Sequence, residues 1–240
     1  MWGNLYIIAT PIGNLEDLTF RALEIIRNVD LLYAEDTRRT IVLLKHYGIK
    51  RSILSYYAHS SEKKKKQILE NILAGRNVGL VTESGTPGVS DPGNELIGYI
   101  LRANSQIKVI PIPGASAITA LISVAGWDLS KFLFIGFFPK KKKTKIFELA
   151  RNFEIPIIFY ESPFRIIKTL EFIKLSFGSE TCIVLGRELT KKFEEIIRGN
   201  VCEVLERLNS GKRVKGEVTV IVKFSKSLVN FCNDSAAGRI

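Results

Sequence analysis

The sequence has few cysteines and no cysteine motif. Its three cysteines, Cys182, Cys202 and Cys232, form no CxxC pair, and any disulfide scheme leaves one of them over. This pattern disfavours a disulfide-rich secreted domain and a zinc site built from cysteines. A reducing compartment is therefore expected, and no metal site is predicted.

Several short catalytic and nucleotide-binding motifs are absent. Neither GxGxxG nor GxxxxGK[ST] occurs, which disfavours the common NAD and ATP sites. The serine-hydrolase motif GxSxG is also missing, because Ile118, two residues after Ser116, occupies the position of the second glycine. The only histidines that could serve such a serine are His46 and His59, so a hydrolase is disfavoured.

Long apolar runs are absent as well. No run approaches the roughly 20 residues that span a bilayer. Residues 1–5 carry no basic segment of the kind that opens a secretory signal. We therefore predict a cytoplasmic protein without membrane association.

The chain has a surplus of positive charge. Among 240 residues, 35 Lys and Arg oppose 24 Asp and Glu, which leaves a formal net charge of +11. Such a surplus raises the local concentration of polyanions and favours nucleic acid or an acidic ligand as partner. A basic proteome produces the same surplus without a nucleic-acid role, so charge alone does not decide.

Short β-branched runs alternate with amphipathic stretches, which is typical of α/β proteins. Near-continuous apolar strands predict a doubly wound, mostly parallel five-stranded sheet in the N-terminal half. After the polar segment 126–130, a second series of elements predicts a mixed α+β sheet. We expect an N-terminal domain over residues 1–117, a C-terminal domain over 118–224 and a flexible tail over 225–240.

Three turns after predicted strands are rich in Gly, Pro and small hydroxyl residues: 10–15 (TPIGNL), 82–93 (TESGTPGVSDPG) and 113–117 (PGASA). Ligands of open α/β sheets bind at the carboxyl ends of strands. The second turn has three Gly and two Pro in twelve residues, more backbone control than an ordinary crossover needs. It can present backbone groups to a ligand, with Glu83 and Asp91 as acceptors. We predict a bound ligand there.

Further polar clusters follow other predicted strands, at residues 35–39, 160–165, 187–191 and 215–217. Together they favour a polar cleft that holds both signs of charge, although each alone fits a solvated turn. Two lysine runs, residues 63–66 and 140–143, predict exposed surface, with phosphate contact as the alternative.

Taken in order, seven segments resemble one family: TPIGNL, AEDTR, GTPGVSDPG, PGASA, YESPFR, RELTK and KGE. The chain is similar over residues 4–224 to the 2′-O-ribose cytidine methyltransferases of small-subunit (16S) ribosomal RNA, within the tetrapyrrole-methylase superfamily. The resemblance implies two α/β domains with S-adenosylmethionine in the cleft between them. It also implies a methyl transfer to a ribose hydroxyl that needs no metal.

The resemblance assigns the methyl donor to matching positions in both domains. The implied donor-binding residues are Pro11, Gly13, Ser84, Gly85, Thr86, Val89, Ser116, Ala117 and Tyr160. The family usually has Asp-Ala-Gly where this chain has Glu83 followed by Ser84 and Gly85, which keeps the acidic group with a longer reach. A His-rich family segment is reduced here to His59, which leaves no clear catalytic histidine.

The implied reaction also assigns a proton acceptor and an RNA surface. Glu83 and Glu217 are the candidate catalytic carboxylates. The residues expected to hold the RNA backbone are Arg38, Arg39, Arg165, Arg187 and Lys215. By analogy we expect a homodimer that acts on ribosomal RNA or the assembled 30S subunit. The alternatives are a superfamily methyltransferase for a tetrapyrrole or protein substrate, and a non-catalytic RNA-binding protein.

Overall fold

The structure of the chain is a computed structural model. It describes residues 1–58, 60–141, 143–211 and 213–224. By contacts the chain divides into two compact units, Met1–Ser116 and a second that begins at Ala117. The predicted flexible tail, residues 225–240, and His59 lie outside the described residues.

The first unit alternates strands and helices. Its strands, among the described residues, are β1 (Leu5–Ile8), β2 (Leu31–Ala34), β3 (Leu54–Ser55), β4 (Val78–Val81) and β5 (Val109–Ile112). Its α-helices are α1 (Phe20–Asn28), α2 (Thr37–His46), α3 (Glu62–Leu73) and α4 (Asn94–Ala103). A short 3₁₀ helix covers Leu15–Asp17.

The five strands form one parallel sheet in the order β3-β2-β4-β1-β5. One face packs against α3 and α4 through a core that includes Ile68 and Leu96. The other face packs against α1 and α2 through a core that includes Ile26 and Leu43. Because both faces are covered, the central strand β4 is buried along its whole length. The predicted doubly wound parallel sheet is confirmed.

Side-chain caps set the start of two helices in this unit. The hydroxyl of Thr19 accepts from the backbone N–H of Ala22 at the start of α1. The carboxylate of Asp36 accepts from the N–H of Arg38 at the start of α2. Such caps satisfy N–H groups that the first helical turn leaves unpaired. Helix α2 thus begins directly after the polar cluster at residues 35–39.

The second unit also consists of strands and helices. Its described strands are β6 (Leu133–Phe137), β7 (Ile157–Glu161), β8 (Cys182–Arg187), β9 (Glu195–Asn200) and β10 (Val218–Lys223). Its helices are α5 (Ala117–Ser123), α6 (Lys143–Asn152), α7 (Ile166–Phe177) and α8 (Val201–Asn209).

The second sheet is mixed, in the order β6-β7-β10-β8-β9, with β6 parallel to β7 and the other pairs antiparallel. A core rich in phenylalanine, including Phe138, Phe147 and Phe159, packs on it. The predicted mixed α+β sheet is confirmed. In the register, Val218 pairs with both Glu161 and Arg187.

In the lysine run at 63–66, Lys63 and Lys66 are exposed as predicted, whereas Lys64 and Lys65 are half-buried. The run lies in the first turns of α3, where Lys65 Nζ lies 2.7 Å from Glu95 Oε2. Lys64 lies over the ring of Tyr33, 5.6 Å from its centroid. The run therefore contributes to packing, because long basic side chains cover apolar surface with their methylene groups. Among the described residues, no helix combines the length and apolar character needed to cross a bilayer.

Candidate active site

The loops that follow the parallel strands of the first unit leave the sheet from one edge, here called the carboxyl edge. Residues 9–13 follow β1, residues 82–93 follow β4, and residues 113–116 follow β5. Since β4, β1 and β5 are neighbours, these three segments lie side by side. The sheet thus gathers the turns that sequence analysis selected, at the edge where such sheets bind ligands.

Backbone hydrogen bonds join the first two of these loops. The N–H of Thr10 donates to the carbonyl of Gly85 at 2.9 Å, and the N–H of Gly85 donates to that of Thr10 at 3.1 Å. Gly85 has φ +79°, which favours glycine. A Cβ built there would lie 3.5 Å from Ile12 Cγ2 and 3.7 Å from the carbonyl oxygen of Ala115. The glycine therefore sits where all three loops meet.

The predicted donor-binding residues of this edge differ in exposure. Pro11 and Gly85 are buried, Gly13 is exposed, and Ser84, Thr86, Val89, Ser116 and Ala117 are half-buried. Half-buried groups keep part of their surface for a ligand while the fold holds their position. Ser116 is the last residue of the first unit, and Ala117 begins α5 in the second.

The loop over residues 82–93 turns sharply through residues with positive φ. Besides Gly85, they are Gly88 at +88°, Ser90 at +66° and Gly93 at +150°. The side-chain amide of Asn94 donates to the carbonyl of Gly88 at 2.9 Å and fixes the loop against α4. Ser90 holds a conformation that non-glycine residues rarely adopt, and such strain is concentrated at functional sites.

Three carboxyl groups meet at the carboxyl edge, on Glu35, Glu83 and Asp91. Burial, followed by the charges of Glu35 and Glu83, raises the pKa of Asp91 to about 7. Burial also raises the pKa of Glu35, although the backbone N–H of Glu83 donates to its Oε2 at 3.4 Å and opposes the shift. A carboxyl that titrates near neutral pH can accept a proton from a hydroxyl group.

Two arginines of α2 lie beside this group. Arg39 Nε lies 2.7 Å from Glu83 Oε1, so one predicted RNA-binding residue pairs with one predicted catalytic residue. Arg38 pairs with Asp36 at 2.9 Å, and its hydrogen bonds lower the pKa of that carboxyl to about 2. Arg38 remains highly exposed, which leaves its outer surface open to a polyanion.

A buried hydroxyl lies at the start of the glycine-rich loop. The Oγ1 atom of Thr82 is buried and has no hydrogen-bond partner among the described residues. Its own carbonyl accepts from Thr10 Oγ1 at 3.5 Å. Buried polar groups are nearly always paired in native proteins, so this hydroxyl is a group that a polar ligand can satisfy.

In the second unit, Tyr160 lies near the end of β7 and is half-buried. Its ring meets Phe134 and Phe137 edge-on, with centroids 5.2 and 5.6 Å away. The aromatic neighbours hold the tyrosine ring in place. Its role beside the adenosine moiety remains a prediction.

Arg165, a predicted RNA-binding residue, holds a buried carboxylate. Its guanidinium donates to both oxygens of Glu161, at 2.9 and 3.0 Å, and to the carbonyl of Phe138 at 2.8 Å. Thr169 Oγ1 donates to the same carboxylate at 2.6 Å. These contacts use most of the donors of Arg165 for structure and leave it about one-third exposed.

Arg187 and Lys215, two further predicted RNA-binding residues, lie close together. Arg187 donates to Glu195 Oε2 at 3.1 and 3.0 Å, and its Nη1 donates to the carbonyl of Lys215 at 3.3 Å. The Lys215 side chain makes no ion pair among the described residues, and the residue is exposed. Lys215 is therefore the freer cation of the two.

Glu217, the second predicted catalytic residue, belongs to a charged network. Lys191 Nζ lies 3.0 Å from Glu217 Oε2 and 2.8 Å from Glu188 Oε1. The backbone N–H of Glu217 also donates to Glu188 Oε1 at 2.9 Å. Burial opposes ionisation of Glu188, but these hydrogen bonds outweigh it and lower its pKa.

Glu83 and Asp91 lie together as the sequence predicts, but the presence of Glu35 beside them was not predicted. Glu83 and Glu217 belong to different units, whereas Glu35 and Asp91 lie with Glu83. The signal for Glu35 is its position directly after β2, since β2 and β4 are neighbours. No group of three or more metal-binding side chains occurs within the part of the chain that is described.

Comparison with known proteins gives a consistent result. Residues 4–205 match the tetrapyrrole (corrin/porphyrin) methylases. The ribosomal RNA small subunit methyltransferase I of Pasteurella multocida (strain Pm70) is 42% identical over 225 residues, with 92% of this chain and 79% of the relative covered. The protein of that name from Thermotoga maritima is 40% identical over 221 residues, with 92% and 98% covered.

Solved structures agree at the level of the fold. A diphthine synthase superposes with a TM-score of 0.70 at 16% identity, covering 92% of this chain and 90% of that one. The match to the family extends over most of the chain, and the glycine-rich loop and the turns beside it lie within the matched region. The chain belongs to the tetrapyrrole (corrin/porphyrin) methylase family.

Proposed function

We propose that this methylase transfers the methyl group of S-adenosylmethionine to the ribose 2′-hydroxyl of a cytidine in small-subunit ribosomal RNA. The methyltransferase class and the S-adenosylmethionine donor follow from membership of the family. Two relatives at 40% and 42% identity carry the name ribosomal RNA small subunit methyltransferase I. The observation that carries the proposal is the joined glycine-rich loop and first turn at the carboxyl edge.

The residues of this edge fit the donor. The buried hydroxyl of Thr82 has no partner among the described residues, and the loops meet at Gly85, which has no side chain. Carboxylates of Glu35, Glu83 and Asp91 suit the positive charge of a sulfonium or an ammonium group. The residues proposed to hold the donor are Pro11, Gly13, Ser84, Gly85, Thr86, Val89, Ser116, Ala117 and Tyr160. When bound, S-adenosylmethionine supplies a methyl group that a hydroxyl oxygen can attack.

The protein must hold the ribose hydroxyl in place and accept its proton. Orientation of two reacting groups supplies a large part of the rate in such displacements. Glu83 and Glu217 are the proposed acceptors, and the loop geometry adds Asp91, whose pKa of about 7 suits proton transfer at neutral pH. Arg39 Nε lies 2.7 Å from Glu83 Oε1 and so orients that carboxylate.

Positive charge provides the RNA contact in this proposal. Arg38 is the most exposed of the proposed RNA-binding arginines, and the chain carries a net charge of +11. Backbone phosphates position the RNA, and a splayed nucleotide enters the active site. The remaining proposed RNA-binding residues are Arg39, Arg165, Arg187 and Lys215. We further propose a cytoplasmic homodimer that acts on ribosomal RNA or the 30S subunit.

Two measurements on one preparation test the function. Titration calorimetry with S-adenosylmethionine is expected to show binding. Tritium transfer from labelled donor to 30S subunits is measured next. Nuclease digestion of the RNA is then expected to release labelled 2′-O-methylcytidine. Donor binding without RNA labelling would favour another substrate of the superfamily. Absence of donor binding by the folded protein would favour the non-catalytic RNA-binding alternative.

A further inference from the structure

Exposed aromatic rings gather at one edge of the second sheet. The register pairs Val218 with Glu161 and Arg187, and Arg187 with Glu195, so these strand ends share an edge that we call the Val218 edge. Phe164 follows β7 at this edge and is 70% exposed. Phe193 precedes β9 there and is 68% exposed.

A third ring lies at the same edge. Phe137 ends β6, which runs parallel to β7, and it is 63% exposed. Scattered exposed apolar residues are normal on protein surfaces. Three phenylalanine rings, each more than 60% exposed and all at one end of one sheet, form instead a surface with stacking capacity.

Cations accompany two of these rings. Arg213 lies over Phe164, with its guanidinium carbon 4.8 Å from the ring centroid. Lys192 Nζ lies 5.8 Å from the centroid of Phe193. Phe164 remains largely exposed although Arg213 lies on one face. Both the free part of the ring and the guanidinium plane are therefore available for stacking.

The acidic groups of this edge are largely neutralised by other residues. Glu161 pairs with Arg165, Glu195 with Arg187, and both Glu188 and Glu217 with the single cation of Lys191. Glu194 makes no ion pair within the described residues and accepts from the N–H of Thr190. Arg213, Lys192 and Lys215 make no ion pair within the described part of the chain. Of the side chains named here, six are cationic and five are anionic, so this edge carries a small net positive charge. Its unpaired cations can contact a polyanion.

The turn that carries Phe193 is held rigidly. Glu188 and Thr190 adopt φ values of +51° and +66°, which are unusual for residues with side chains. The carboxylate of Glu188 accepts from Lys191 Nζ, and that of Glu194 accepts from the N–H of Thr190 at 2.6 Å. A ring on a pre-formed turn loses little conformational freedom when it binds a ligand.

We infer that the Val218 edge binds a single-stranded segment of the RNA substrate, with bases stacked on Phe164 and Phe193 and phosphates held by Arg213, Lys192 and Lys215. The inference rests on the proposed function for the identity of the RNA. Rings that stack bases and cations that contact the backbone are the combination that binds unpaired strands without strong sequence preference. Duplex RNA hides its base faces, so it should bind this edge more weakly.

The test uses the whole chain and two fluorescein-labelled probes, a ten-residue oligouridylate and its duplex with oligoadenylate. Fluorescence anisotropy gives the Kd. Phe164→Ala and Phe193→Ala are each expected to raise the Kd for the single strand about fivefold or more. Phe153→Ala is the matched control, because Phe153 is 71% exposed and precedes the opposite end of β7. Its Kd should stay within about twofold of the wild-type value.

Two further variants separate stacking from charge and from misfolding. Phe164→Tyr keeps an aromatic ring and should retain wild-type affinity. Arg213→Gln and Lys215→Gln should each reduce the slope of log K against log salt concentration by about 0.7. Circular dichroism and the thermal midpoint show whether each variant is folded.

The outcomes distinguish this inference from the proposed function. If Phe164→Ala and Phe193→Ala are folded and bind the single strand like the wild type, or if the wild type binds neither probe, the inference is wrong. Tritium transfer to 30S subunits by the wild type is measured in parallel. If that transfer fails while oligouridylate binding still depends on both rings, the proposed function is wrong and the RNA-binding surface stands.

Discussion

Thr10 and Gly85 exchange two backbone hydrogen bonds, of 2.9 and 3.1 Å, which tie the turn after β1 to the loop after β4. The two strands are neighbours in the parallel sheet, so each loop supports the other. A change at Gly85 therefore acts on both loops at once. This relationship makes the backbone at position 85 a sensitive point for donor binding.

Gly85→Val is expected to weaken binding of S-adenosylmethionine at least about tenfold, which corresponds to roughly 1.4 kcal/mol. A β-branched residue at φ +79° strains the backbone, and its methyl groups would extend from a Cβ already 3.5 Å from Ile12. Titration calorimetry of the folded variant measures the effect.

Gly48→Val is the matched control for backbone strain. Gly48 has φ +66°, but nothing lies within 4 Å of the Cβ position. This variant should lose about 1 to 3 kcal/mol of stability and keep wild-type donor affinity. Wild-type affinity in folded Gly85→Val would contradict the placement of the donor at this loop.

Asp91→Asn should relieve a pH-dependent cost to stability. Burial and the neighbouring carboxylates raise the folded-state pKa from 3.8 to about 7, so the folded protein binds the proton more tightly than the unfolded chain. The wild type therefore loses stability as the pH rises from about 4 through 7. Because Asp91 is half-buried, solvent screening limits the gain from the substitution at pH 8 to about 1 kcal/mol.

Urea unfolding of both proteins at pH 5 and pH 8 measures this difference. The advantage of Asp91→Asn should be larger at pH 8. Asp128→Asn is the control, since hydrogen bonds from Ser130 lower the pKa of Asp128, and its effect should not change between these pH values. An advantage of Asp91→Asn that is equal at both pH values would show that Asp91 titrates normally.

Regular structure could be predicted well where apolar runs are compact. The bounds of β2, β5 and β8 agree with the largely apolar runs 31–34, 109–112 and 182–187. Helix α3 begins at Glu62, whereas apolar periodicity indicates a start near residue 67. The lysines of its first turns pack through their methylene groups, which a polar–apolar pattern does not reveal.

The loops that form the candidate site could be predicted from the sequence, but the contacts between their charged side chains could not. The density of glycine and proline indicated a ligand-binding loop at residues 82–93, because these residues mark unusual backbone conformations in the local sequence. The grouping of Glu35 with Asp91 depends on β2 lying beside β4, and this order is a tertiary property. The pairing of Arg165 with buried Glu161 likewise requires the side-chain packing of the folded unit.

Glu161→Ala should destabilise the protein by about 2 to 4 kcal/mol, because it leaves Arg165 and Thr169 without their buried partner. The free energy of unfolding in urea measures this loss. Glu70→Ala removes one half of an exposed pair with Lys66 at 4.0 Å and should cost no more than about 0.5 kcal/mol. Equal costs in the two variants would show that the Glu161 cluster is not a stabilising brace.

Arg165→Gln separates the structural role of Arg165 from its proposed contact with RNA. The same loss of stability is expected, since the carboxylate of Glu161 stays buried without its cation. At a temperature where the variant is folded, the KM for 30S subunits reports the RNA contact. An unchanged KM would assign Arg165 to structure alone.

The two proposed proton acceptors have different surroundings, and we expect only Glu83 to accept the proton. Glu83 lies at the carboxyl edge beside Asp91 and pairs with Arg39, whereas Glu217 is held by Lys191 in the second unit. We therefore expect Glu83→Gln to lower kcat about a hundredfold.

Glu217→Gln should leave kcat within about threefold of the wild type, because the transfer releases one proton and we expect Glu83 to accept it. Single-turnover methyl transfer to 30S subunits, measured from pH 6 to 9, gives the rate of the chemical step for both variants. A large loss of rate in Glu217→Gln, with Glu83→Gln unaffected, would move the proton acceptor to the second unit. A loss in neither variant would leave Asp91 as the acceptor, and the rate of the wild type should then rise as the pH passes through about 7, where that carboxyl ionises.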